Sequence, residues 1–134
     1  MSKITGAGEE HLREATEELN TFYKDLDERI LQLGSRIERY SKSKYIGYRD
    51  LRPKKFRFLE IKVQDDGKIL RILMHSDGNG LRDRKNLFNI EIKPDSHKWG
   101  KMTDVMKINP LHLNKIFTLD DLMEIIEQSF KSTL

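Results

Sequence analysis

The chain has 134 residues, enough for one domain whose core needs neither disulfides nor metal to hold it. The absence of cysteine excludes a disulfide framework, thiolate metal sites and a cysteine nucleophile together. Charged residues (35%) nearly equal apolar ones (37%), no apolar run approaches twenty residues and no signal peptide opens the chain, so the expectation is a cytoplasmic protein without a membrane partner.

The net charge of +3 is small but unevenly spread. Residues 1–34 balance to −4, residues 36–62 to +7, and residues 63–134 to zero. Residues 1–8 read as a flexible end and 9–134 as a single α+β domain.

In chain order, residues 9–33 carry Leu12, Ala15, Leu19, Phe22, Leu26, Ile30 and Leu33 at steps of three and four, which predicts one long helix. Early acids suit its N-terminus, and Gly34 suits a left-handed residue at its end. At about 1.5 Å per residue it exceeds what a small sheet needs, so Leu12, Ala15, Leu19 and Phe22 are candidates for docking a protein partner or a second copy. The competing expectation is that the stripe packs on the chain's own sheet.

A short helical piece is expected over residues 35–43. Tyr45–Tyr48 then reads as a brief strand, and residues 56–63 as a longer one. On that longer strand Phe56, Phe58, Glu60 and Lys62 share one face, and Arg57, Leu59, Ile61 and Val63 the other. Asp65-Asp66-Gly67-Lys68 predicts a hairpin turn in which Gly67 takes positive φ, and residues 69–74 return as its partner. Residues 76–80 form a loop, 89–93 and 104–108 two further strands, and 94–101 their connection. Thr118 fits an N-cap, Asp120 and Asp121 suit a first turn, and Leu119, Leu122, Met123, Ile126 and Phe130 trace the stripe of a closing helix. The expected fold is α+β: a long helix, a short helix, an antiparallel sheet of about four to five strands and a C-terminal helix packed on it.

The basic middle is the main functional signal. Ten Lys or Arg between Arg36 and Lys62 face three acids, and Tyr40, Tyr45, Tyr48, Phe56 and Phe58 are interleaved with them. Clustered cations with aromatics point to a polyanion, and nucleic acid is the expected partner, DNA ahead of RNA. The candidate contacts are Lys44, Tyr45, Tyr48, Arg49, Arg52, Lys54, Lys55 and Arg57, joined by His97, Lys98 and Lys101, where Trp99 lies either exposed for stacking or folded inward.

Other chemistry is thinner. Asp50 with Glu60 and Lys62 could hold Mg²⁺ as a nuclease does, but Glu-x-Lys is common in any charged strand and Glu91-Ile92-Lys93 repeats it. His11, His75, His97 and His112 match no zinc spacing, and Gly78-Asn79-Gly80 lacks the helix signal of a phosphate cradle. No catalytic residue, cofactor or metal is assigned. The readings are a non-catalytic nucleic-acid-binding domain; alternatively a protein-interaction or dimerisation domain using the long helix; and third a metal-dependent nuclease.

Residues 26–33, Ser43-Lys44-Tyr45-Ile46-Gly47-Tyr48, the strand from Phe56, the His97-Lys98-Trp99-Gly100 turn and residues 119–130 together resemble a family of unknown function. That family occurs as a C-terminal domain of bacterial and archaeal "predicted transport protein" chains and of restriction-nuclease-like proteins. The layout is also similar to small YjbR-like α+β proteins. The resemblance implies a non-catalytic accessory module linked to nucleic-acid-processing or defence systems, with no catalytic residues to carry over.

Overall fold

The structure is a computed structural model and describes residues 3–52, 56–76, 80–93 and 102–134. The stripe expected to make one helix is divided into a 3-10 turn, Glu9–Leu12, and helix α1, Glu17–Leu31. The break has a local cause. Thr16 is extended, and its hydroxyl accepts from Leu19 N at 3.2 Å, so it starts a helix instead of continuing one. The Asn20 amide turns back to donate to Ala15 O and Thr16 O at 3.2 and 3.1 Å, satisfying acceptors near the break. Before the turn, Ile4 is buried, and Thr5 O and Ala7 O accept from the Arg39 guanidinium at 2.5 and 2.7 Å. Gly34 does not adopt the left-handed conformation expected of it. Its missing side chain serves close packing, since a Cβ there would lie 3.1 Å from Phe130 Cζ.

Residues 35–43 hold a strand, β1 (Ile37–Ser41), where a short helix was expected. It pairs with β2 (Ile46–Asp50), and Tyr40 lies across Gly47. A Cβ on Gly47 would stand 2.2 Å from Tyr40 Cζ, so the glycine makes room for the ring. Then follow β3 (Phe56–Gln64), β4 (Ile69–His75), β5 (Glu91–Ile92) and β6 (Met102–Ile108). All pairings are antiparallel, in the order β1-β2-β3-β4-β6-β5, so the sheet has six strands against the four to five expected. The β3–β4 turn is as predicted, with Gly67 at φ 83. Gly67 O also accepts from Thr16 N at 3.0 Å, tying the turn to the start of α1.

A bulge changes which residues share a face. Tyr48 pairs with Leu59 but Arg49 with Arg57, leaving Phe58 unopposed. Strict alternation therefore fails along β3. Phe58 and Leu59 are both buried, and Arg57 comes to the same side as Glu60, with Nη1 3.2 Å from Oε1.

Helix α2, Leu119–Lys131, begins at the N-cap expected of Thr118, which Asp121 completes into a capping box: Asp121 N donates to Thr118 Oγ1 at 3.1 Å and Thr118 N to Asp121 Oδ2 at 2.9 Å. It buries Leu122, Met123, Ile125 and Ile126, each contributing about 1.5–3 kcal/mol by the area removed from water. Both helices lie on one face of the sheet. They enclose Ile46, Tyr48, Leu59, Ile61, Leu70, Ile72, Met74, Met106 and Ile108, while Phe117 packs on Phe22 and Phe88. Ser129 Oγ donates to Phe58 O and His75 O at 3.0 and 2.8 Å, which locks α2 onto β3 and β4. Among the described residues no helix covers the opposite face, and no helix is long and apolar enough to cross a membrane.

Candidate nucleic-acid interface

The cations that cluster in sequence between Arg36 and Lys62 do not form one open patch. Of the eight that are described, four are joined to carboxylates. Arg39 Nη1 lies 2.6 Å from Asp27 Oδ2 of α1, with both side chains mostly buried. Arg49 Nε and Nη2 donate to Glu38 Oε1 across the β1–β2 pair at 2.8 and 2.5 Å, and its guanidinium lies 4.4 Å over the Tyr40 ring. Arg52 Nε donates to Asp50 Oδ2 at 2.6 Å, while Nη2 and Nη1 donate to Thr133 Oγ1 and O at 2.8 and 3.2 Å. This arginine fastens the C-terminus to the sheet. Arg57 is paired with Glu60, and its Nη1 donates to the Tyr45 hydroxyl at 3.3 Å. A guanidinium already holding a carboxylate presents little net charge to a third party, so these arginines serve the fold first.

Tyr48, expected at the interface, is fully buried on the helix side. Its hydroxyl donates to Asp27 Oδ1 at 2.7 Å and lies 2.6 Å from the Tyr23 hydroxyl, which must then be the donor to it. Burial pushes the Tyr48 hydroxyl well above its ordinary 10.0, and the neighbouring Tyr23 and Asp27 push the same way, so it remains a donor. Tyr48 is a core residue, because its partner lies on α1 and not in solvent. Of the other expected contacts, Lys44 is exposed in the β1–β2 turn and Tyr45 is half-buried beside it. Lys54, Lys55, His97, Lys98 and Lys101, with Trp99, lie outside the described residues.

The docking stripe is consumed by the chain's own core. Leu12, Leu19 and Phe22 are 2%, 0% and 3% exposed, and Ala15 packs partly buried against the same cluster. They present no apolar face to a partner. The nuclease triad is not assembled either. Asp50 follows Tyr48 by two on the helix side, where it holds Arg52, whereas Glu60 and Lys62 lie on the opposite face.

Cations do meet on that opposite face, two of the three at positions the sequence does not single out. Lys62 on β3 pairs in register with Arg71 on β4, and Arg71 with Lys107 on β6. Their neighbours Ile61, Ile72 and Met106 point into the core, so all three cations point outward. Among the described residues no carboxylate lies within ion-pair distance of any of them. The acids nearest in register are engaged elsewhere: Glu60 with Arg57, and Glu91 with Lys93 at 3.6 Å. With strands about 4.8 Å apart, the three positions span roughly 10 Å. The next rung holds Glu60, Leu73 and Val105, of which Leu73 and Val105 form a small buried cluster with Met102. The missed residues are Arg71 and Lys107. Their signal was the phase of each strand: each stands next to a core aliphatic in a segment recognisable as a strand.

No curated protein and no solved structure matches the sequence. A family model does, over residues 8–133, which is nearly the whole chain. The edge hairpin, the six-stranded sheet and the closing helix all fall within that span, so the chain belongs to the family described as Domain of unknown function (DUF5655).

Proposed function

We propose that the protein binds the phosphate backbone of nucleic acid through the outward rung of its sheet that carries Lys62, Arg71 and Lys107, and does no chemistry there. The observation that supports this is the cation row of Lys62, Arg71 and Lys107, which meets no carboxylate among the described residues. Like charges directly opposite one another destabilise a sheet, so three in a row with no intervening acid weaken the fold unless an anion completes them. Protection of an exposed edge accounts for Lys107 at most, where β5 no longer pairs with β6, since β3 and β4 have neighbours on both sides. Lys42 and Lys44 add further exposed charge at the β1–β2 turn. This moves the interface from the arginines of the sequence cluster to the outward residues of three adjacent strands. A module of this kind suits an accessory role in nucleic-acid processing or defence, with DNA the first ligand to try.

The test is fluorescence anisotropy with labelled DNA across ionic strength. Three or four phosphate contacts give a slope of log K against log salt of about −2 to −4, and each of Lys62→Gln, Arg71→Gln and Lys107→Gln lowers its magnitude by roughly 0.7–0.9. Arg49→Gln leaves the slope unchanged. No binding at low salt, or a slope indifferent to the row, refutes the proposal.

A further inference from the structure

Building on the backbone-binding reading, we infer that the ligand of this face is single-stranded nucleic acid lying across the strands, with one base stacked on Tyr45. The row does not end at Lys62. Ile46 pairs with Ile61, so one register step further sets Tyr45 beside Lys62, and Lys42 N donates to Tyr45 O at 2.9 Å to close the same rung onto the end of β1. Across the sheet the order is therefore Lys42, Tyr45, Lys62, Arg71, Lys107, over about 19 Å at the usual strand spacing.

The second member of this row is aromatic, and it is held in place. The Tyr45 ring meets Tyr40 edge-on, with centroids 6.2 Å apart and planes at 80°, and its hydroxyl accepts from Arg57. Tyr40 itself is committed, with Gly47 beneath it and Arg49 over its ring. With its hydroxyl held by Arg57, Tyr45 offers the face of its ring as a surface for a base. In a duplex every base face is covered by its neighbours, so only an unpaired strand brings one to a side chain. As a unit the sheet is too wide for the major groove, since six strands measure about 24 Å across against a groove width of roughly 12 Å.

The experiment is an anisotropy titration with an oligothymidylate of about twelve nucleotides and a duplex of equal length, at about 50 and 200 mM salt. The proteins are wild type, Tyr45→Ala, Tyr45→Phe and Arg71→Gln. The single strand binds about tenfold or more tighter than the duplex, Tyr45→Ala weakens it by about 5- to 100-fold while sparing the duplex, and Tyr45→Phe retains the preference. Equal affinity for the two forms, or a Tyr45→Ala effect that does not distinguish them, overturns the inference. If Arg71→Gln weakens both forms while Tyr45→Ala weakens neither, backbone binding survives and stacking falls. If neither form binds at low salt, both fall.

Discussion

Arg71 stands between Lys62 and Lys107 in the register of the sheet, and replacing it with glutamine removes two cross-strand repulsions at once. The gain can be bounded in two ways. Like charges directly opposite in a sheet cost roughly 0.2–1 kcal/mol per pair. Unit charges about 5–9 Å apart in water repel by about 0.5–0.8 kcal/mol, and two such pairs give about 1–1.5 kcal/mol. Against this, glutamine is one methylene shorter, and for a half-buried side chain the lost contact costs about 0.4 kcal/mol. The net expectation is a protein more stable by about 0.5–1 kcal/mol, or about 2–4 °C in Tm for a chain of this size.

Thermal unfolding followed by circular dichroism at low and high salt checks it. The gain should be largest at low salt and vanish near 1 M, where the screening length falls to about 3 Å. On the proposed reading the same variant should lose part of its salt-dependent hold on DNA, so stability and binding should move in opposite directions. If Arg71→Gln destabilises the protein at every salt concentration, or if its gain ignores salt, the three cations do not face one another and the interface has no physical basis.

The residues reassigned from interface to framework make further predictions. Tyr48→Phe strips one donor from the buried Asp27 carboxylate and should cost about 1–3 kcal/mol in urea unfolding, with DNA affinity of the folded protein unchanged. Arg52→Ala frees residues 132–134 to exchange amide hydrogen faster, because Thr133 loses both of its bonds to the guanidinium, and the DNA salt slope stays as it was. Gly67→Ala forces a Cβ to within 2.2 Å of Glu14 O at a positive φ, and should lower stability by at least about 1–3 kcal/mol. The hydrogen bond from Lys85, with help from Thr118, holds the Asp121 carboxyl below its ordinary 3.8. A depressed carboxyl stabilises the fold above its unfolded value and loses that contribution as pH falls through its folded one. The stability difference between wild type and Asp121→Asn should therefore be flat from about pH 5 to 8 and shrink below about 3.8; a difference that persists into acid refutes the assignment.

Much of the fold was readable because its signals are local. The N-cap at Thr118, the Gly67 turn and the apolar strands on either side of it each depend on residues a few positions apart. Periodicity failed where two structures satisfy it equally. Leu12 and Leu19 bury the same way whether or not the helix breaks between them, and only the hydrogen bond from Leu19 to Thr16 decides. β1 escaped for the converse reason. Every one of its positions is half-buried, so Ile37-Glu38-Arg39-Tyr40-Ser41 shows no alternation to detect.

The clustered arginines do not form one open patch, for a reason that belongs to electrostatics and not to pattern. A balance of +7 over residues 36–62 counts charges by separation along the chain, whereas a ligand feels them by separation in space. Arg52 stands two residues from Asp50, Arg57 three from Glu60, and Arg49 opposite Glu38, so each cation carries its own anion. Arg39 finds a carboxylate on a helix that the count had assigned to a separate acidic segment. The row left uncompensated draws its members from three strands, one of them beyond a loop and a further strand, where a windowed count sees neutral sequence. Strand phase tells which cations point outward, but only register tells which of them stand side by side. A potential binding face on a sheet is therefore a property of its pairing, and the cations that matter are those whose cross-strand neighbours are also cations.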